Sequence, residues 1–237
     1  MRVLLLSDPH YDFHHGESRA FFLQDLPVTP DAIVVAGDVS NSAHMAEAFF
    51  CLFDGRFPSA ERYYVLGNHC AWIGPHARSN EGGEPCVHEI ARRHGFQTTG
   101  ERELWRVVDG VLLFDLFYRP LMTPAQIAYT VDNDYFDVRS RQASVDDALA
   151  RAAPPRVRFS VSHLAPNTSL PTQYATREPM FYNPDIDRVL RAHGSPAHLY
   201  GHTHEPVDTT VDGVRYVNAP VGYECPRGTL QDFGIVV

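Results

Sequence analysis

Apolar positions in this chain come in short runs, and five of the runs stop abruptly at polar, lone-pair-bearing residues. Val3–Leu6 ("VLLL") runs into "SDPH", Ala32–Ala36 ("AIVVA") into "GDVSN", and Tyr63–Leu66 ("YYVL") into "GNHC". Val157–Val161 ("VRFSV") leads into "SHLAP", and Ala197–Tyr200 ("AHLY") into "GHTH". The first three runs are almost continuously apolar, the pattern of strands covered on both faces. Between the runs, helices are expected over Ser18–Asp25, Ala43–Phe53, Val87–His94, Val145–Ala152 and Pro184–Ala192. The last of these has Asn183 as its N-cap, Pro184 at its first position and Gly194 at its end. Alternating strands and helices predict an α/β fold. In "TTVDGVRYVNAP", Asp212-Gly213 separates two alternating runs, which adds an antiparallel hairpin and makes the sheet system mixed. Two stretches break the rhythm: Ala71–Gly83, rich in glycine and proline, and Arg119–Gln142, rich in aromatics and arginine without periodicity. Long irregular stretches inside compact domains tend to be functional.

Composition narrows the chemistry. The chain has 237 residues, 44% hydrophobic and 21% charged, enough for one substantial domain over residues 1–237. No apolar run reaches membrane length and none resembles a secretion signal, so a soluble, cytoplasmic protein is expected. Four cysteines without CxxC pairing argue for reduced thiols and against a zinc ribbon. A net charge of −9 argues against a general nucleic-acid-binding face. All 20 basic residues are arginine, which excludes a Schiff-base lysine and a P-loop. Thirteen histidines supply metal ligands and proton carriers instead.

The run ends carry Asp8 and His10; Asp38; Asn68 and His69; His163; and His202 and His204. Ligands in open α/β sheets bind beyond the carboxyl ends of strands, so these side chains are expected to converge. Carboxylate and amide oxygens mixed with imidazoles suit Mn²⁺, Fe or Zn²⁺ better than Mg²⁺. Two carboxylates with several imidazoles are enough for two divalent ions sharing one aspartate, an arrangement suited to in-line attack on phosphorus. A histidine titrating near neutrality fits protonation of the departing oxygen. Gly37, Gly67 and Gly201 each precede a candidate ligand, and their missing Cβ is expected to let the chain pass close to a metal. Each motif alone has a plainer reading. "DPH" is a turn, "GDVSN" an ordinary helix entry, and His163 a hydrogen-bonded core residue. "GHTH" is sharper, because residues two apart on an extended chain project to one side. Five such motifs in order, all at strand ends, specify a site.

In that order the motifs resemble those of the calcineurin-like metallophosphoesterases: D-x-H, G-D-x-x-(D/N), G-N-H-(D/E), a histidine after a strand, and G-H-x-H. The resemblance runs from Asp8 to His204, and the tail "YVNAPVGY" is similar to the strand and turn that follow the last motif in small bacterial members. It implies a four-layer αββα sandwich of two mixed β-sheets flanked by helices. It implies a hydrolase of phosphomonoesters or phosphodiesters, with a small-molecule or nucleotide substrate favoured by the acidic charge. Two divalent metal ions are implied, Mn²⁺, Fe²⁺/Fe³⁺ or Zn²⁺. One would be held by Asp8, His10, Asp38 and His204, the other by Asp38, Asn68, His163 and His202, with Asp38 as the bridge. A hydroxide between them would be the nucleophile and His69 the proton donor, which makes His69, Asp38 and Asn68 the catalytic set.

Two positions depart from the family pattern. Asn41 is not followed by arginine, which argues against the Ser/Thr protein phosphatase branch. Cys70 stands where an acidic residue usually orients the catalytic histidine. Three readings of Cys70 are open: a tolerated neighbour with a carboxylate supplied elsewhere, a thiolate doing the same electrostatic work, or a weakened His69. Arg119, Arg139 and Arg141 with Tyr129, Tyr135 and Phe136 are read either as a cap-like insertion around residues 119–142 or as a solvated loop. His14, His15 and His76 are read as substrate contacts or, with more weight, as surface residues. The competing function is a phosphoesterase-fold binding or scaffold module. It predicts lost ligands, and every ligand position here is filled. A metal-dependent hydrolase of non-phosphate esters is a third, weaker reading.

Overall fold

The computed structural model of the chain describes residues 1–71, 86–99, 103–115, 145–150, 155–172, 179–224, 230 and 234–236. Strands β1 (Arg2–Leu6), β2 (Ala32–Ala36) and β3 (Glu61–Val65) run parallel, with β10 (Gly234–Val236) antiparallel beside β1, in the order β10-β1-β2-β3. Strands β4 (Trp105–Val108), β5 (Val111–Phe114), β6 (Phe159–Val161), β7 (Ala197–Tyr200), β8 (Val207–Val211) and β9 (Val214–Asn218) form the second sheet. Its order is β4-β5-β6-β7-β9-β8, with a parallel centre and an antiparallel strand at each edge.

Strand periodicity explains the stacking. Along β1, Leu4 and Leu6 face outward onto Phe49 and Phe50 of the helix Ala43–Cys51 and onto Ile90 of the helix Val87–Arg93. The alternate residues Val3 and Leu5 turn inward and join Leu113, Phe159, Val161 and Leu199 of the second sheet. The outer face of that sheet places Phe114, Tyr200 and Tyr216 on Ile186, Val189 and Leu190 of the helix Pro184–Ala192. Helix, sheet, sheet and helix therefore stack as four layers.

The helix Pro184–Ala192 starts and stops where its capping residues predict. Asn183 Oδ1 accepts the Asp185 N–H at 3.0 Å, and Gly194 has φ +59°. Elsewhere the boundaries moved inward. The helix beginning at Ala43 ends at Cys51, and the region expected as Ser18–Asp25 folds as a helical turn, Glu17–Ala20, and a 3₁₀ turn, Phe21–Leu23. Buried Phe21 and Phe22 set that local shape, not helix propensity. Residues 145–150 are helical, and the rest of the Val145–Ala152 prediction lies outside the described residues. So do the irregular stretch after Ala71 and the whole of Arg119–Gln142. Two Asp-Gly hairpins form rather than one: Asp109-Gly110 joins β4 to β5 as Asp212-Gly213 joins β8 to β9. All four residues have positive φ. Among the described residues no helix is long and apolar enough to cross a membrane.

Candidate metal centre

The carboxyl ends of β1, β2, β3, β6 and β7 lie along one edge of the sandwich, and their loops remain hydrogen-bonded after the strands end. His10 N–H donates to Asp38 O at 2.9 Å and Tyr11 N–H to Val39 O at 2.7 Å. Gly201 N–H donates to His163 O at 3.0 Å. Each aspartate is fixed by a backbone donor from another motif. Asp8 accepts the His202 N–H at 2.9 and 3.0 Å, and Asp38 Oδ1 accepts the His69 N–H at 2.8 Å.

Aiming these groups inward strains the chain. Seven described non-glycine residues have positive φ, and five of them are Asp8, His10, Asp38, His202 and His204. The left-handed region costs such residues on the order of 1 kcal/mol each, a pattern that concentrates at functional sites. The motif glycines are explained by crowding. A Cβ on Gly67 would lie 2.0 Å from Asp38 N and 2.1 Å from its Oδ1; one on Gly37 would lie 2.3 Å from His163 Nδ1. What the missing Cβ admits in both cases is the neighbouring motif.

All seven sequence-predicted ligands sit at this edge. Asp8, His10 and His204 bring ligand atoms within 4.8 Å of one another, as do Asp38, His163 and His202. A third group, His10, Asp38 and His69, overlaps both. His10 Nε2 and His204 Nε2 face each other at 3.2 Å, and His204 Nε2 is 3.3 Å from Asp8 Oδ1. His163 Nδ1 donates to Ala36 O at 2.9 Å, which turns Nε2 inward. There Asn68 Oδ1 is 2.9 Å away and Asp38 Oδ2 3.2 Å. A ring nitrogen, an amide oxygen and a carboxylate converging in a buried space are donors suited to a cation. The donor set of carboxylate, amide oxygen and imidazole fits a divalent ion of the Mn, Fe or Zn class.

The charges respond as such a cluster requires. Burial pushes the Asp38 carboxyl up, but the His163 charge and hydrogen bond, with His10 and His69 behind them, outweigh it and hold the group far below the usual range. Asp8 is likewise lowered, burial being overcome by His204 and then His163. Burial lowers His10 to about 4, against the pull of Asp38 and Asp8. In His163 and His204 burial also acts downward, yet the neighbouring carboxylates prevail and both rise.

His69 differs from the other histidines of this centre, because both its ring nitrogens have neutral side-chain partners. Nδ1 donates to Asn41 Oδ1 at 2.8 Å, and Nε2 lies 2.9 Å from Tyr223 Oη. The group that holds the ring is thus the amide of Asn41, where a carboxylate was expected. Cys70 itself is fully buried, and its sulfur accepts the Val39 N–H at 3.3 Å. Burial first, then Asp38, raises the thiol, which argues against the thiolate reading.

Sequence reasoning missed Asn41, Asn218 and Tyr223 as site residues. Asn218 Oδ1 accepts the Ser7 hydroxyl at 2.6 Å while its Nδ2 donates to Thr203 Oγ1 at 3.0 Å, pinning the first motif to the last. The tail then runs beside Ser7 and Asp8, with Val221 N–H donating to Ser7 O and Gly222 N–H to Asp8 O, both at 2.9 Å. This brings the Tyr223 ring onto His10, centroids 3.9 Å apart. His14, weighted toward the surface on sequence, is buried. It donates from Nε2 to Gly222 O at 3.0 Å and so holds the same tail; His15 is exposed and His76 lies outside the described residues.

Among solved structures, the phosphopantetheinyl hydrolase of Mycobacterium tuberculosis superimposes with a TM-score of 0.64 at 19% identity, over 93% of this chain and 89% of that one. At that identity the likeness establishes the fold, the αββα arrangement of two sheets between helices. A Staphylococcus aureus protein with a provisional 5′-nucleotidase name matches at a TM-score of 0.44 and 14% identity. That match covers 92% of this chain but only 48% of the other. No curated protein sequence matches the chain. The family model for calcineurin-like phosphoesterases matches residues 1–206, a span that contains all five motifs and every residue of the converging cluster. The chain belongs to the calcineurin-like phosphoesterases.

Proposed function

We propose that this protein hydrolyses a small-molecule phosphomonoester or phosphodiester at a centre of two divalent ions. The observation that carries the reading is the sharing of donors: Asp38 belongs to two of the three ligand groups and His10 to two. A carboxylate common to two groups is what a bridged pair of cations needs. In this reading Asp8, His10, Asp38 and His204 hold one ion, and Asp38, Asn68, His163 and His202 the other. When bound, such ions supply Lewis-acid charge and an activated water.

The side chains do the rest. With Nδ1–H committed to Asn41 Oδ1, any further proton on His69 must sit at Nε2, the nitrogen facing the open side. Delivering that proton to the leaving oxygen returns the ring to the neutral tautomer that Asn41 already favours. Asn41 is neutral, so it orients the ring without pulling its pKa upward, and burial lowers His69. Tyr223 must give way at Nε2, or share its proton there, when substrate enters. The exposed rings of Phe13 and Tyr223 form a rim on which an apolar or aromatic leaving group can rest. We read residues 1–237 as one domain around this centre.

The test is turnover of aryl phosphate mono- and diesters, a nucleotide and a phosphopantetheinyl diester after loading with Mn²⁺, Fe²⁺, Zn²⁺ or Mg²⁺. The phosphopantetheinyl arm is included because the Mycobacterium tuberculosis neighbour carries that name. Expected is metal-dependent release with two equivalents of ion per chain at the centre. Metal uptake without turnover of any phosphoester would favour the non-phosphate hydrolase, and no uptake at all the scaffold.

A further inference from the structure

The described residues contain one more ligand cluster, which shares no residue with the strand-end motifs. Glu47, Cys51 and His94 bring a carboxylate oxygen, a sulfur and a ring nitrogen within 4.8 Å of one another. Glu47 and Cys51 are one turn apart on the helix Ala43–Cys51, so both project from the same face. His94 caps the end of the helix Val87–Arg93 that packs beside it. Arg62 ties the two ends together, donating to Phe53 O at 2.7 Å and to His94 O at 2.6 Å. That leaves side chains, not carbonyls, to face the cluster.

We propose that these three residues form a separate surface site for a single zinc-class divalent cation, which clips the ends of the two helices together. His94 carries the argument. Its Nδ1 is 2.9 Å from Asp54 Oδ2, so a carboxylate holds the ring by the nitrogen that points away from the site. Nε2 is turned toward Glu47 Oε1 at 3.0 Å and Cys51 Sγ at 3.8 Å. This is the carboxylate–histidine relay that orients ligating imidazoles in zinc sites. Tetrahedral zinc with ordinary bond lengths spaces nitrogen from oxygen by about 3.3 Å and nitrogen from sulfur by about 3.5 Å. The observed spacings lie a few tenths of an ångström either side. The donor set also has a preference: thiolate with imidazole and carboxylate selects zinc over magnesium. Cys51 is exposed and Glu47 partly so, which gives an ion its path in and a fourth position for water. A histidine merely clamped between Asp54 and Glu47 would account for both carboxylates and leave the sulfur without a purpose.

The sulfur also makes the site testable apart from the main centre, whose proposed ligands are all nitrogen and oxygen. Cobalt(II) titrated into the metal-stripped full chain should develop a sulfur-to-cobalt charge-transfer band on top of the ligand-field absorption of the main centre. In C51S the charge-transfer band should vanish while the remaining cobalt absorption and phosphoester turnover stay within about twofold of wild type. E47A should require at least roughly tenfold more cobalt to reach half the band, and zinc content should fall by one equivalent per chain in C51S. Absence of the band in the wild-type chain, or its survival in C51S, would overturn the proposal. So would zinc content and cobalt titration unchanged by E47A, whose exposed side chain puts folding at little risk. The charge-transfer band, the cobalt titration and the zinc content do not depend on the main centre being a phosphoesterase.

Discussion

His163 and His198 occupy neighbouring strands of one sheet, and both are buried: His163 follows β6, and His198 lies in β7 opposite Ser160. Their surroundings separate them. His163 turns Nε2 toward Asp38 and Asn68, and its pKa rises although burial opposes it. His198 is held between hydroxyls, Ser160 Oγ at 2.8 Å from Nδ1 and Ser162 Oγ at 2.8 Å from Nε2, and burial lowers it to about 3. Ser162 passes its own proton to Leu164 O, so it accepts from His198 and fixes the neutral ring. Burial alone therefore does not mark a functional histidine. The mark is a ring nitrogen facing a carboxylate and an amide oxygen, as at His163, instead of a chain of hydroxyls, as at His198.

The largest effect that can break this contrast comes from exchanging the consequences of the two deletions. His163→Ala should lower kcat/KM by more than about 100-fold, since even residues that only support metal ligands cost 10–100-fold. It should also remove bound metal. His198→Ala should leave kcat per folded molecule within about threefold but cost roughly 2–4 kcal/mol in urea unfolding, from the cavity and the broken hydroxyl chain. Equal activity losses in the two variants, measured per folded molecule with metal content alongside, would sink the distinction.

A smaller effect is expected at His69, held by the neutral Asn41 amide and faced by Tyr223. Asn41→Ala should reduce kcat by about 10–100-fold with KM changed far less, because the ring loses its orientation and not its substrate. Cys70→Ser should change kcat by less than about threefold, as its sulfur faces the Val39 amide in the core and does not reach His69. Cys70→Asp should not raise turnover. It places a carboxylate in an apolar cluster near Asp38 and should cost about 3 kcal/mol or more of stability. Rescue of activity by Cys70→Asp would return the orienting role to that position.

Much of this was legible before any coordinates. The strands β1, β2 and β7, the helix from Pro184 and the convergence of all seven candidate ligands follow from run ends and capping residues. The partners of His69 were not. Asn41 lies 28 residues away and Tyr223 154 residues away, and Asn218 meets Ser7 across 211. Such pairs leave no local periodicity, and only the sheet order brings them together. Cys70 misled for a geometric reason. Asn68–Ala71 is a helical turn, and successive residues on a helix point about 100° apart, so the neighbour of His69 in sequence faces the core. The Asp109-Gly110 hairpin carried the same signal as Asp212-Gly213, but its flanking strands, only four residues each, show too little alternation to be read.

The finest test of the contrast is the acid limb of stability. His198 has a folded pKa of about 3 against an ordinary value of 6.5, so below pH 6.5 the unfolded chain takes up the proton first. Stability is then intact above that pH and declines as pH falls toward 3, by up to about 1.4 kcal/mol per unit for this one group. The groups facing the ring are Ser160, Ser162, Phe114, Tyr200 and Tyr216. None of them titrates in that window, so nothing nearby offsets the loss. His14 and His193 are also lowered by burial and add to the decline in the same sense. In metal-free buffer His163 and His204 act oppositely: with folded values raised, their contribution is present at low pH and fades as pH rises past them. Urea unfolding of the metal-free chain between pH 7 and 4 should therefore lose about one proton of slope in His198→Gln. In His163→Gln the slope below pH 6.5 should stay as in wild type, and only the stability gained on acidifying toward 6.5 should disappear. If both substitutions flatten the limb, the two histidines share one environment in solution, and the contrast between their partners does not separate them.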